Sequence, residues 1–514
     1  MSEEMRPELA ALNERLAKTA DAMRVQATEK RHQKGYRTAR ENLAALVDAN
    51  SFLEYGQLVV AAQRSRRDYE ELQSSTAADG VIVGTCTINA DQVSAQTAQA
   101  AVIVNDYSVL AGTQGYFHHK KLDRICELAE QLKLPIIMYT EGGGGRPGDT
   151  DVLTQIAGLN IKSFSTWAKL SGVVPRIAVN NGYCFAGNAA LFGCADFTIA
   201  TRSSWIGMAG PAMIEGGGLG SFAPTDIGPI DVQEKNGVVD IVAEDERHAT
   251  LLARQLLSYF QGPVSEWSCT DQDSLRDIVP KDRRWAFPVR KIIETIADAG
   301  SFLELRRIYG RSIITGFMRL EGTPVALIAN DCQQLGGAID SEAAQKAARF
   351  LTLCNAFKLP IVSLTDTPGF MVGPDSERGG AVRNMSSLFI AGAALSVPIV
   401  AIFLRKGYGL GAMAMTGGSF VNPVYSASWP TGEFGGMGLE GAVQLGYKKE
   451  LDAVADPEER QALFDKLLAR LYEVGRATEA AAHLEIDAVI DPADTRSVLL
   501  RALRAARRDQ HGRG

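Results

Sequence analysis

Two runs of small residues in this chain could do chemistry with backbone rather than side-chain groups. Arg176-Ile177-Ala178-Val179 leads into Asn181-Gly182-Tyr183-Cys184-Phe185-Ala186-Gly187-Asn188-Ala189-Ala190. Ile399-Val400-Ala401-Ile402-Phe403 leads into Lys406-Gly407-Tyr408-Gly409-Leu410-Gly411-Ala412-Met413-Ala414. Each reads as an apolar strand, a tight turn and the start of a helix, where N–H groups are left without intrahelical acceptors. With no bulky side chain in the way, an oxygen carrying developing negative charge can come close to those donors. Small residues also serve close packing of a helix on a sheet. Two such runs at related positions favour the chemical use.

Side-chain chemistry is thin by comparison. The histidines are His32, His118, His119, His248, His483 and His511. None sits in a glycine run, and no H-E-x-x-H or other metal-ligand spacing is present, so no metal is expected. Glu141 and Asp366 stand at strand ends and are candidates for general bases, although fixing a loop is the commoner role of such a carboxylate. Gly409-Leu410-Gly411 does not extend to G-x-G-x-x-G, and there is neither a P-loop nor a G-x-S-x-G elbow.

The elements that must position these runs come from a duplicated chain. Asn105-Asp106 recurs as Asn330-Asp331, Lys133-Leu134-Pro135-Ile136 as Lys358-Leu359-Pro360-Ile361, Gly182-Tyr183 as Gly407-Tyr408 and Gly112 as Gly337, all 225 positions apart (105 to 330). Ser51-Phe52-Leu53-Glu54 recurs as Ser301-Phe302-Leu303-Glu304 at 250 positions (51 to 301), which predicts an insertion near Tyr55 to Asp79 in the first copy. That segment holds Arg64, Arg66, Arg67, Asp68, Glu70 and Glu71 and reads as a solvated excursion. Within each copy the pattern is βαβ. Leu122, Ile125, Leu128, Ala129 and Leu132 share one helical face ahead of the buried strand Ile136-Ile137-Met138-Tyr139. The second copy repeats this from Ala343 to Phe357 and in Ile361-Val362-Ser363-Leu364. The strands then run into Glu141-Gly142-Gly143-Gly144-Gly145-Arg146-Pro147 and Asp366-Thr367-Pro368-Gly369-Phe370, at the carboxyl ends where open α/β sheets bind ligands. The expected division is a helical arm over 1–49, a first domain over 50–299 and a second over 300–514.

Composition bounds the rest. The 514 residues carry 53 basic and 60 acidic side chains, a formal charge of −7 that shows no nucleic-acid footprint. Seven cysteines form no C-x-x-C pair, which argues against a zinc ribbon or a disulfide framework and for a reducing compartment. No secretory h-region is visible after Met1, and a cytoplasmic location is expected. The apolar stretch Leu388 to Leu404 is broken by Pro398 and reads as a buried helix followed by a buried strand, not as a membrane span.

Over nearly its whole length the sequence resembles the carboxyltransferase (β) subunits of biotin-dependent acyl-CoA carboxylases, of the propionyl-CoA and methylcrotonyl-CoA carboxylase type. The resemblance runs from Thr38-Ala39-Arg40-Glu41 through Gly144-Gly145-Arg146, Ser171-Gly172-Val173-Val174-Pro175 and Asp196-Phe197. In the second half it includes Asp366-Thr367-Pro368-Gly369-Phe370, Arg405-Lys406-Gly407-Tyr408-Gly409, Trp429-Pro430-Thr431, Met437-Gly438 and Ile486-Asp487-Ala488-Val489-Ile490-Asp491-Pro492.

The resemblance implies an α/β fold of two tandem crotonase-like ββα-superhelix domains, the first binding acyl-CoA and the second receiving carboxybiotin. It implies two oxyanion holes: Ala186 and Gly187 for the thioester oxygen, Leu410 and Gly411 for the biotin ureido oxygen. The internal offset of 225 would instead pair Ala186-Gly187 with Gly411-Ala412. Gly144, Gly145, Arg146, Tyr183, Phe370, Tyr408, Ala412 and Met413 are the expected substrate-binding residues. The family often has Gly-Gly at 186–187 and Gly-Ala at 410–411, and a backbone donor survives both changes where φ is negative. Several short-chain carboxylases carry Asp at position 413, so Met413 reads either as selecting a different acyl group, longer or bulkier, or as a residue that only packs in its helix. Glu433 and Glu440 stand where neutral residues are common; either could cap a helix or meet a polar substrate, and capping is the commoner role. No Met-Lys-Met biotinylation sequence is present. A partner α subunit is therefore expected to supply biotin carboxylase and the biotin carrier, around a homo-hexameric core whose active sites lie between subunits. The alternatives are a decarboxylase run with the same chemistry, or a non-catalytic scaffold.

Overall fold

The structure is a computed structural model describing residues 5–152 and 158–507. The chain forms two compact units, Met1–Gly262 and Pro263–Gly514. The first is built on a seven-stranded sheet in the order β1-β2-β3-β4-β5-β7-β9. Its strands are β1 Leu53–Tyr55, β2 Val81–Thr87, β3 Gln99–Asn105, β4 Ile136–Tyr139, β5 Arg176–Asn180, β7 Phe197–Thr201 and β9 Ile241–Ala243; β6 Tyr183–Phe185 pairs separately with β8 Trp205–Gly207. β1 to β3 are antiparallel and β3 onward are parallel.

Parallel neighbours need crossovers, and the helix Tyr116–Leu132 supplies the one from β3 to β4. Its buried face, Leu122, Ile125, Cys126 and Ala129, packs with Val83, Ile103, Ile136 and Met138 of the sheet and with Trp167 and Phe192. The strands are covered on both faces, which is why β3 and β4 read as unbroken apolar runs.

The second unit repeats this plan. Its sheet runs β10 Leu303–Leu305, β11 Ile313–Leu320, β12 Thr323–Asn330, β13 Ile361–Thr367, β14 Ile399–Tyr408, β15 Tyr425–Ser428 and β17 Ala488–Val489, with β16 Glu433–Gly435 paired to β14. The helix Ser341–Ala356 stands for Tyr116–Leu132. Local conformation repeats at the same spacing: Lys133 and Lys358 have φ of 56° and 59°, and Leu110 and Leu335 have φ of 48° and 50°. Two buried lysines also correspond. Lys121 Nζ donates to Ala78 O at 2.9 Å, and Lys346 Nζ donates to Arg306 O, Tyr309 O and Ile313 O at 2.9, 3.0 and 2.7 Å.

The units divide at Gly262/Pro263, not at the 299/300 boundary expected from the repeat. Leu275, Phe287, Val289, Ile292, Ile293 and Ile296 lie in the second unit's core, so 263–299 packs forward. The duplication also begins earlier than Ser51 and Ser301, because the helices Ala39–Leu46 and Val289–Ile296 correspond at 250 positions. The 1–49 arm belongs to the first unit. Asn42 Nδ2 donates to Glu246 Oε2 at 3.0 Å, and Arg254 Nη1 donates to Leu46 O at 2.5 Å.

The 55–79 insertion is more than a solvated excursion. Ala61, Leu72 and Asp79 are fully buried, since the segment folds back through the helix Tyr69–Ser75 and carries Asp79 into the interior. Leu388 to Leu404 is, as expected, a helix (Ala381–Ala393) followed by β14. Among the described residues no helix is long and apolar enough to cross a membrane.

Candidate active site

In the first unit β4 runs out into the glycine loop 141–145, and backbone bonds fix its path. Gly142 N donates to Tyr183 O at 2.8 Å, Phe185 N to Gly142 O at 3.0 Å and Gln114 N to Gly144 O at 2.7 Å. The loop then closes on the start of the helix Gly187–Cys194. Gly144 has φ of 90°, and a Cβ there would lie 2.7 Å from the Ala186 methyl, so the approach requires glycine. Asn188, fully buried, stitches the two together: its Oδ1 accepts from Gly144 N at 3.1 Å and its Nδ2 donates to Thr140 O at 3.2 Å. Asn188 was not among the expected site residues. Its one signal is a lone carboxamide in a Gly/Ala run.

Ala186, expected as an oxyanion donor, does not offer a free N–H. That group donates to Gly207 O at 3.0 Å, because pairing between β6 and β8 extends one residue past Phe185. Ala186 also has φ of 50° and ψ of −121°, not the negative φ expected, and acts as the residue that turns the strand into the helix. The first intrahelical bond is Ala190 N to Ala186 O, at 2.9 Å. The N–H groups of Gly187, Asn188 and Ala189 therefore have no acceptor within the helix. Gly187 is half-buried at the mouth of this turn, and Tyr183 is half-buried with its ring stacked on Trp205 at 4.9 Å.

Arg146 is committed to the protein. Its Nη1 lies 2.5 Å from Asp79 Oδ1, its Nη2 donates to Thr113 O at 2.8 Å, and its side chain is buried. It holds the loop in shape and leaves Gly145, which is exposed, at the surface. Glu141 is likewise engaged, with both oxygens accepting from Arg31 at 3.0 and 2.8 Å. Burial pushes its pKa up to about 7.

The second unit forms the matching arrangement. Asp366, at the end of β13, accepts from Arg405 at 3.2 and 2.9 Å and from Lys406 N at 2.8 Å. It is fully buried and fixes the loop, leaving no lone pair placed as a base. Gly369 has φ of 123°, and a Cβ on Gly411 would lie 2.6 Å from Gly369 C and 3.0 Å from Phe370 N. Gly369 against Gly411 is thus the counterpart of Gly144 against Ala186, at the same spacing of 225 (144 to 369). The helix Gly409–Met415, however, starts from Tyr408 and so begins three residues earlier than its counterpart. Its first-turn donors beyond the β14–β16 pairing, which ends at Tyr408 and Gly435, are Leu410 and Gly411, while the Ala412 N–H falls at the first intrahelical bond.

The Leu410 side chain is 61% exposed, Ala412 is fully buried, and Met413 and Phe370 are half-buried. Tyr408 is buried, and burial followed by the nearby Glu433 carboxylate raises its pKa. Glu433 is not a helix cap; it lies on β16, 3.5 Å from Arg283. Glu440 does stand in the first turn of the helix Leu439–Gly446, where it accepts from Tyr472 OH at 2.9 Å. Among the described residues no cluster of three or more His, Cys, Asp or Glu could hold a metal ion.

Tandem α/β units, each pressing a glycine loop against the start of a helix, define the class of protein with which the comparisons agree. A family described as the carboxyl transferase domain matches residues 30–513. The chain is 32% identical over 523 residues to the biotin-dependent long chain acyl-coenzyme A carboxylase beta4 subunit of Mycobacterium tuberculosis, covering 98% of this chain and 95% of that one. Among solved structures it matches a single-chain, multi-domain long-chain acyl-CoA carboxylase with a TM-score of 0.92 and 54% identity, over 97% of this chain and 49% of that one. The chain thus spans about half the length of that protein. It also matches the hexameric transcarboxylase 12S core with methylmalonyl-CoA bound, with a TM-score of 0.83 and 30% identity over 98% of this chain and 96% of that one. The chain belongs to the carboxyl transferase family, that of the carboxyltransferase subunits of biotin-dependent acyl-CoA carboxylases, with their tandem crotonase-like fold.

Proposed function

We propose that this carboxyltransferase acts on long-chain acyl-CoA, with a carboxyl donor carried on biotin by a partner subunit. The observation that carries the mechanism is the repeated cradle, Gly144 closing on Ala186 and Gly369 closing on Gly411, each beside unpaired first-turn N–H groups. In the first unit the Gly187 N–H receives the thioester oxygen, and negative charge that develops there as the α-carbon loses its proton is stabilised by a donor already in place. In the second unit the N–H groups of Leu410 and Gly411 receive the ureido oxygen. The close approach of Gly369 to Gly411, where a Cβ would lie 2.6 Å from Gly369 C, fixes the loop against these donors. When bound, carboxylated biotin supplies the activated carboxyl group and the acceptor for the α-proton. The absence of an uncommitted base among Glu141, Asp366 and Glu433 agrees with a proton acceptor that the chain does not itself provide.

Met413 supports the acyl length. It is half-buried and apolar on the helix that also carries Leu410 and Gly411, and the long-chain relatives point the same way. A hexameric core, a partner bringing biotin carboxylase and carrier, and a cytoplasmic location complete the reading. The test is ATP- and bicarbonate-dependent incorporation of labelled carbon by the reconstituted complex across an acyl-CoA panel. Incorporation that rises from propionyl-CoA to acyl chains of a dozen or more carbons is expected. Incorporation confined to acetyl- and propionyl-CoA would overturn the substrate, and none with any acyl-CoA would point to the scaffold alternative.

A further inference from the structure

Gln114 stands where the chain enters the helix Tyr116–Leu132 and is clamped to the glycine loop by backbone. Its N–H donates to Gly144 O at 2.7 Å and its C=O accepts from Arg146 N at 2.9 Å. Only 3% of the residue is exposed. The carboxamide lies against the first residue of the helix Gly187–Cys194, so that a Cβ at Gly187 would be 2.3 Å from Gln114 Oε1. Its Nε2 is buried and has no hydrogen-bond partner among the described residues.

The second unit is an internal control. Ile339, 225 positions on (114 to 339), makes the same bridge to Phe370 that Gln114 makes to Gly145. Ile339 is completely buried. The fold therefore closes this loop with an aliphatic side chain, and packing alone does not call for a carboxamide at 114. A buried donor without an acceptor is destabilising, whereas an apolar side chain of similar shape is not, so the carboxamide points to an acceptor that arrives with a ligand. The adjoining helix start, with its own unpaired N–H groups, favours an electron-rich oxygen in that place.

We propose that Gln114 is a substrate-binding residue whose side-chain N–H joins the Gly187 N–H on the thioester oxygen of acyl-CoA. The proposal rests on reading Gly187 as the thioester donor. It is Oε1 that the structure sets against Gly187, and a half-turn of the carboxamide about its last bond exchanges Oε1 and Nε2 and brings the N–H to that place. A side-chain donor makes the acyl-CoA hole chemically unlike the hole of the second unit, where Ile339 occupies the equivalent place.

The experiment compares the parental complex with Gln114→Leu and Gln114→Glu, reconstituted with the partner. Gln114→Leu is expected to lower kcat/KM for acyl-CoA by about 10²-fold, to melt at or above the parental temperature, and to leave acyl-CoA-independent breakdown of carboxybiotin unchanged. Gln114→Glu is expected to lose more, because its carboxylate repels the developing charge. Binding is measured with two unreactive analogues, an acyl-CoA ketone that keeps the carbonyl oxygen and an S-alkyl-CoA thioether that lacks it. The parental protein should prefer the ketone, and Gln114→Leu should lose that preference. Parental kcat/KM in Gln114→Leu, or a retained preference for the ketone, would overturn the proposal, as would an activity loss that merely follows a lowered melting temperature. If the parental complex carboxylates no acyl-CoA, the functional reading fails, while the analogue comparison still decides the role of Gln114.

Discussion

At Ala186 and Gly411 the two copies solve one steric problem in different ways. Ala186 turns the chain with φ of 50° and gives its N–H to Gly207, while Gly411 keeps its first-turn position and meets Gly369 with no room for a methyl. Gly411→Ala should therefore destabilise the second unit by about 1–3 kcal/mol through overpacking, read as a lowered unfolding midpoint; an unchanged midpoint would show that the loop 366–370 can yield. The histidines of the first unit make a second prediction. Burial lowers the pKa of His119 from 6.5 to about 4, with Nδ1 2.9 Å from Ser163 Oγ, and holds that of the fully buried His118 well below its ordinary value. Between these values the unfolded chain holds the proton and the folded chain does not, so this contribution to stability is complete above pH 6.5 and is lost as pH falls toward 4. His119→Gln should flatten the fall in melting temperature across that window. A slope equal to the parental one would place the acid sensitivity elsewhere.

At the scale of elements, the glycine loops owe their shape to segments far away in sequence. Arg146 is held by Asp79, 67 residues earlier and just ahead of β2. The side chains of this pair are 4% and 0% exposed. Asp79→Asn leaves the buried guanidinium only the Asp149 carboxylate, whose Oδ1 lies 3.5 Å from Arg146 Nη1, and should cost about 3–5 kcal/mol. Denaturant unfolding would show this, and a cost below about 1 kcal/mol, the usual worth of an exposed pair, would mean that Asp149 takes over.

The same distance explains what could be read from the chain and what could not. The βαβ pattern, the paired glycine loops and the two helix starts were legible, because Lys-Leu-Pro-Ile and Gly-Tyr recur at one spacing and each run is local. Three features were not legible. The loss of the Ala186 donor depends on β6 meeting β8, the buried role of Asp79 on an ion pair across the unit, and the earlier start of the repeat on helices whose sequences, Ala39–Leu46 and Val289–Ile296, share shape more than residues.

At the scale of the whole molecule, duplication provides two similar helix starts, which the proposed function assigns to different oxygens. The first unit sets Gly187 beside the Gln114 carboxamide, and the second has Ile339 at the position equivalent to Gln114. The central claim is that main-chain donors at such helix starts perform the transfer, and side-chain deletion cannot reach them. Proline can, because the second position of a helix tolerates it and it removes only the N–H. At Leu410, whose side chain is 61% exposed, little packing is disturbed. The deciding measurement is the carboxylation rate of Leu410→Pro in the reconstituted complex, taken together with its melting temperature and its acyl-CoA affinity. The account predicts parental melting, parental affinity and a loss of about 10²–10³ in kcat. A folded Leu410→Pro complex that carboxylates at the parental rate would contradict it.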